Sequence, residues 1–143
     1  MMKKFILVFI VFLQLLTNIS YSQKKTTPFN KIKSINGYPI YPKSRFSGIL
    51  SFTGERQWLL TYLTNDKVNK VIRFYEKRLN RKAEMIKYGK SLIIYQFPKD
   101  YTMVNKRKLL TEGIEIIPFG GFYRKVFKAN TKIKIYVKAP SPR

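Results

Sequence analysis

The chain of 143 residues contains no cysteine, no histidine and only seven aspartates and glutamates. Each absence removes chemistry. Without cysteine there is no disulfide framework, no thiolate nucleophile, no iron–sulfur cluster, no cysteine zinc site and no lipid-modified N-terminal cysteine. Without histidine there is no Ser-His-Asp triad and no imidazole-ligated metal. The carboxylates, Glu55, Asp66, Glu76, Glu84, Asp100, Glu112 and Glu115, are too sparse to predict a hard-cation loop or a paired-carboxylate hydrolase. Phosphate-cradling loops of the G-x-G-x-x-G and G-x-x-x-x-G-K-S/T types are missing as well. The reading is therefore of a chain with no catalytic residue, no cofactor and no metal.

Positive charge is what the chain has in excess. Lysine and arginine number 29, for a formal net charge of +22 and a pI near 10.3. A charge of that size implies self-repulsion and attraction to polyanions. Phe, Tyr, Asn, Lys and Ile, all encoded by A/T-rich codons, are abundant while alanine occurs three times, so genome composition accounts for part of the lysine. It does not account for the shortage of acids.

The N-terminus predicts export. Met1-Met2-Lys3-Lys4 is a positive n-region, and Phe5 to Leu16 is an apolar h-region broken once by Gln14. Ser20 and Ser22 supply small residues at −3 and −1, which places cleavage after Ser22. The apolar run is shorter than the ~20 residues that a spanning helix needs. A bacterial periplasmic, envelope or secreted protein follows as the expectation, with residues 1–22 as signal peptide.

Residues 23–42 read as an extended basic leader, held open by X-Pro steps at Pro28, Pro39 and Pro42. Residues 43–138 read as a single domain, and 139–143 as a disordered tail. Within the domain, Ile49–Thr53 and Gln57–Thr64 predict strands around Gly54-Glu55. Asn65-Asp66 offers N-cap chemistry to a helix over Lys67–Asn80. In that helix Val68, Val71, Ile72, Tyr75 and Leu79 form one stripe, opposite Lys70, Arg73, Lys77 and Arg81. Ala83–Tyr88 and Ser91–Phe97 predict a hairpin about Gly89-Lys90. Pro98–Gly113 reads as a long polar loop. Ile114–Phe119, Phe122–Lys128 and Thr131–Lys138 read as three further strands. The last alternates, with Ile133, Ile135 and Val137 opposite Lys132, Lys134, Tyr136 and Lys138. The fold class is α+β: a single amphipathic helix packed on an antiparallel sheet of about six to seven strands.

The order Tyr41-Pro42, then Thr64-Asn65-Asp66, then Val68, Val71, Phe74-Tyr75 and Leu79 resembles small exported bacterial α+β domains of unknown function. Those carry a Tyr-Pro stretch, a Thr-x-Asp step and a Val-x-x-Val-x-x-Phe-Tyr-x-x-x-Leu helix. The resemblance covers roughly Tyr38 to Leu79. It implies a fold and an exported location, and brings no catalytic residues.

The candidate functional residues are basic. Lys77, Arg78, Arg81 and Lys82 have a structural explanation, since cations complement a helix C-terminus. The candidate anion-binding residues are Lys106, Arg107 and Lys108, then Arg124, Lys125 and Lys128, then Lys132, Lys134 and Lys138 with Tyr136 among them as an aromatic for stacking. Together with export, they predict a non-catalytic envelope or secreted module with a basic surface. Its expected partner is an anionic envelope component or an acidic protein, with peripheral membrane contact among the options. A subunit of an envelope assembly ranks next. A nucleic-acid binder follows, disfavoured by export, and a hydrolase that uses neither histidine nor cysteine comes last.

Overall fold

A computed structural model describes residues 32–52, 57–105 and 107–138. The expected signal peptide, the first part of the leader, the tail after Lys138 and Lys106 lie outside the described residues. Eight strands and two helices are described. β1 (Ser34–Ile35) and β2 (Tyr38–Pro39) form a small hairpin. β3 (Ser44–Phe52), β4 (Gln57–Thr64), β5 (Glu84–Tyr88), β6 (Leu92–Val104), β7 (Arg107–Pro118) and β8 (Thr131–Lys138) form one antiparallel sheet. Its order is β3-β4-β8-β7-β6-β5. α1 (Val68–Leu79) connects β4 to β5, and α2 (Gly121–Phe127) connects β7 to β8.

The core lies between α1 and one face of the sheet. Val71 and Tyr75 of α1 are fully buried, as are Leu60, Phe97, Ile114, Ile116, Ile133 and Ile135 of the strands. The register explains this layer. Leu60 stands opposite Ile135, Ile135 opposite Ile114, and Ile114 opposite Phe97, so alternation sends all four side chains to one side. Phe97 meets Tyr75 at 5.9 Å between ring centroids. α1 ends where Asn80 takes the left-handed conformation at φ 51°, and the Arg81 amide returns to the Glu76 carbonyl.

Four expectations need correction. The leader expected over residues 23–42 does not stay extended through Ile32–Pro42 but folds back as a hairpin. Asn36 (φ 48°) and Gly37 (φ 82°) make the tight turn that an Asn-Gly pair favours, and Tyr38, Ile40 and Tyr41 are buried. The Tyr41 hydroxyl donates to Asp66 at 2.7 Å, and its ring meets Phe74 edge-on at 5.1 Å. Asp66 is not the N-cap of α1, a place taken by Lys67 without a side-chain cap. Asp66 instead accepts from Tyr41 and Lys70, and these two donors hold its carboxyl below the usual range.

The third correction concerns Pro98–Gly113, which is not a loop. β6 continues to Val104 and β7 begins at Arg107, so two long strands pair across most of this stretch. Their polar composition hides them, because the distal half of the hairpin has left the apolar core. The pairing register breaks twice around Asp100, as a bulged, bending strand does. Gly113 sits opposite Pro98 at φ +145°, and a Cβ there would lie 2.5 Å from the Phe97 carbonyl oxygen. Only glycine fits that bend. Fourth, Phe122–Lys128 is not a strand. It belongs to a second helix, α2, so the fold carries two described helices rather than one.

Candidate functional site

The acids come first, because so few are present. Among the described residues, five of them are bound to lysines: Asp66 to Lys70 (3.1 Å), Glu76 to Lys82 (3.3 Å), Glu112 to Lys99 (2.7 Å) and to Lys138 (3.7 Å), Glu115 to Lys134 (3.1 Å), and Asp100 to Lys138 (3.7 Å). Glu84 accepts from the Tyr101 hydroxyl at 3.0 Å. The described carboxylates are thus engaged within the chain, and among the described residues most of the remaining cations are exposed with no carboxylate paired to them.

That sorting divides the residues singled out in the sequence. On β8, Lys132, Lys134, Tyr136 and Lys138 do share one face, away from Ile133, Ile135 and Val137. Lys134 and Lys138 are occupied by Glu115, Asp100 and Glu112, so this face is not a row of free cations. Lys132 is half-buried, and burial, then the neighbouring Lys134, pushes its ammonium below the usual lysine value. Tyr136 leans toward Glu115 at 3.5 Å, and burial with that carboxylate raises its phenol well above the ordinary value.

Glu115 anchors a polar cluster on this second sheet face. It accepts from the Gln96 amide at 2.8 Å, and Tyr101 reaches Gln96 at 3.4 Å. Residues 96 and 101 would be about 17 Å apart on a straight strand, so the Tyr101 contacts report the bend of β6. Burial, then Glu84, pushes the Tyr101 phenol up to about 12. Gln57 of β4 donates to the Thr111 carbonyl of β7, which ties the bent hairpin to the far side of the sheet. A cleft of about 340 Å³ results, lined by Gln96, Glu115 and Tyr136 at its floor and by Val104, Leu109 and Leu110 of the hairpin.

Lys108 borders this same cleft from the hairpin, exposed, with its ammonium over the Tyr101 ring at 5.4 Å. Arg107 begins β7, paired with Val104 across the hairpin. At the C-terminal end of α1, Arg81 donates to the Phe97 and Pro98 carbonyls, Lys82 meets Glu76, and Arg78 lies 5.7 Å from the Phe74 ring centre. Arg78, Arg81 and Lys82 are therefore at the α1 end, apart from the β8 lysines on the other face of the sheet.

One local convergence remains, at the end of the sheet where β7 leads into α2. Arg124 and Lys125 lie in the last turn of α2, and Lys128 ends it in the left-handed conformation at φ 46°. The Arg45 guanidinium of β3 donates to the carbonyls of Phe127 and Lys128, satisfying groups that a helix C-terminus leaves open. Lys132 follows in β8, opposite Leu63, which is itself opposite Arg45. The register and the Arg45 contacts thus place five cations from β3, α2 and β8 at the same end of the sheet. Residues 116–143 contain no carboxylate side chain at all. Arg45 was not among the candidates, and no local pattern marks it, because only the register of β3 brings it to α2.

No protein-family model, curated protein or solved structure matches the chain.

Proposed function

We propose that the protein is an exported, non-catalytic module of the bacterial envelope, or a secreted one, that holds an anionic partner against its cationic surface. The observation that carries this reading is the allocation of the acids. The described carboxylates are engaged within the chain, while Arg45, Arg124, Lys125, Lys128 and Lys108 are exposed with no carboxylate paired to them among the described residues. Uncompensated cations raise the local potential and concentrate anions at the surface. The N-terminal pattern of Met1 to Ser22 supports export, and the engaged state of Glu112 and Glu115 supports a structural use of the closest acid pair.

The test is retention of the whole chain on an immobilised polyanion such as heparin, against the uncharged matrix. Retention at about 50 mM salt that is lost by about 300 mM, where the screening length shrinks, is the expected result. Passage through the column at low salt overturns the reading.

A second reading, a subunit of an envelope assembly, draws on the sheet edges. β3 and β5 are the two edge strands, and Ile49, Leu50, Met85 and Tyr88 on them are exposed. Edge-to-edge association would appear as a concentration-dependent mass in sedimentation at high salt.

A further inference from the structure

The two described helices make a contrast. Both are amphipathic, but α1 buries its apolar stripe and α2 buries nothing. Phe122 is 74% exposed, Tyr123 61%, Val126 54% and Phe127 41%. An exposed set of large apolar side chains on one element marks a contact surface.

The arrangement within α2 says which kind. At 100° per residue, Phe122, Tyr123, Val126 and Phe127 fall on one side and Arg124 and Lys125 on the other, with Lys128 following as the left-handed cap. The apolar side is a preformed slab. Phe119, just before the helix, stacks on Phe127 at 5.3 Å and on Tyr123 at 6.2 Å, and Phe122 meets Tyr123 at 6.0 Å. A helix docking on an acidic protein would present its cations and its apolar anchors to the same side. Opposed faces suit an interface between oil and water instead. There the aromatic side lies among acyl chains and the long basic side chains reach back to the head groups. With seven residues α2 is about 10 Å long, a third of the hydrocarbon thickness, so it lies in the interface. The absence of carboxylates from residue 116 onward fits a surface of negative charge.

We propose that α2 is a membrane-contact element, which enters the head-group region of an anionic phospholipid bilayer by Phe122, Tyr123 and Val126 and is held there by Arg124, Lys125 and Lys128. The proposal rests on the anionic-partner reading and names the partner as lipid. Arg45 ties the C-terminal end of α2 to β3 of the sheet.

The chain has no cysteine, so Phe122→Cys gives a single site for an environment-sensitive fluorophore, and Lys90→Cys, at the β5–β6 turn, gives a control. The whole chain is mixed with phosphatidylcholine vesicles with and without about a third phosphatidylglycerol. The label at 122 is expected to shift to shorter wavelength on the anionic vesicles, and the label at 90 is not. This readout is local to α2, so attachment through residues 5–16 does not imitate it. Replacing Arg124 and Lys125 by Gln and Lys128 by Asn should lower partitioning onto anionic vesicles about 100-fold. Replacing Phe122 and Val126 by Ser should lower it about 10-fold or more, with retention on heparin unchanged. A label at 122 that stays unshifted while heparin still retains the chain overturns the α2 proposal and spares the broader reading. Loss of heparin retention as well overturns both. A shift at 122 that depends on protein concentration without vesicles assigns the aromatic side of α2 to a second copy of the chain and overturns the lipid assignment.

Discussion

Replacement of Glu115 by Gln tests whether the acids are spent inside the fold. Glu115 and Lys134 are 3.1 Å apart, with side chains only 10% and 23% exposed. At an effective dielectric of 20 the direct attraction at that separation is about 5 kcal/mol, and desolvation of the two groups offsets most of it. The Glu115→Gln side chain would keep the shape and a hydrogen bond to Gln96. It would leave the Lys134 ammonium partly buried with Lys132 two residues away. Breaking one side of a fully buried pair costs about 3–5 kcal/mol, and the partial exposure of Lys134 reduces this to about 2 kcal/mol. Lys134→Met should cost a similar amount, because it strands the carboxylate. The double replacement should cost less than the sum, with a coupling of about 2 kcal/mol. Urea unfolding followed by the single tryptophan, Trp58, reads all four proteins. A coupling under about 0.5 kcal/mol would refute the argument. Glu115 would then be a spare acid in a cleft, and Lys134 a free cation.

Three other outcomes follow from the geometry. Gly113→Ala should destabilise the fold by about 2–4 kcal/mol, because the new Cβ meets the Phe97 carbonyl at a positive φ; a loss under ~0.5 kcal/mol would mean the bend relaxes freely. A chain begun at Lys43 should lose on the order of 5 kcal/mol, the burial of Tyr38, Ile40 and Tyr41, and calorimetry would show a Tm drop that a chain begun at Lys31 does not. Burial raises Tyr38, with Glu112 adding to it, and Tyr62 to about 12. Raised folded values mean that the folded state holds more protons above pH 10, so this contribution is intact below pH 10 and falls between pH 10 and 12. Tyrosinate absorbance should therefore show a steep rise above pH 10 that coincides with loss of circular dichroism; a rise that leaves the circular dichroism unchanged up to pH 12 would contradict it.

How much was legible depended on whether a segment's period survived in its composition. Gln57–Thr64 and Thr131–Lys138 are the observed strands residue for residue, and the helix expected over Lys67–Asn80 is Val68–Leu79. β8 alternates with a clear repeat of 2.0 and α1 carries a 3.6 stripe, while Gln57–Thr64, buried on both faces, is legible as a short run rich in apolar and β-branched residues. The Gly89-Lys90 turn is where it was expected, with Gly89 at φ 61°. Phe122–Lys128 misled because Phe, Tyr and Val favour strands, although their spacing at 122, 123, 126 and 127 is helical. That helix has no core to face, so no packing partner disciplines its composition. The distal hairpin was hidden for the opposite reason. Its bulges and bend take Lys99 to Lys108 away from the core, and polar strands look like loops. The Asn36-Gly37 signal of the first hairpin was present, masked by the prolines and lysines around it.

The candidate site was half legible. The basic clusters were visible as runs, but which lysines are neutralised depends on contacts across the sheet. Lys138 meets Asp100 and Glu112 only because the β6–β7 hairpin bends back. Arg45 joins α2 only through the pairing of β3 with β4 and of β4 with β8. Sequence spacing carries neither fact.

On the proposed reading, the exposed cations around α2 meet an anionic surface. Its most direct measurement is the affinity of the whole chain for anionic vesicles at about 50 and 200 mM salt, with the Arg124→Gln, Lys125→Gln, Lys128→Asn variant beside it. Affinity should fall steeply with salt, and the variant should bind far more weakly with a shallower salt dependence. Equal binding by the variant, or affinity indifferent to salt, would contradict it.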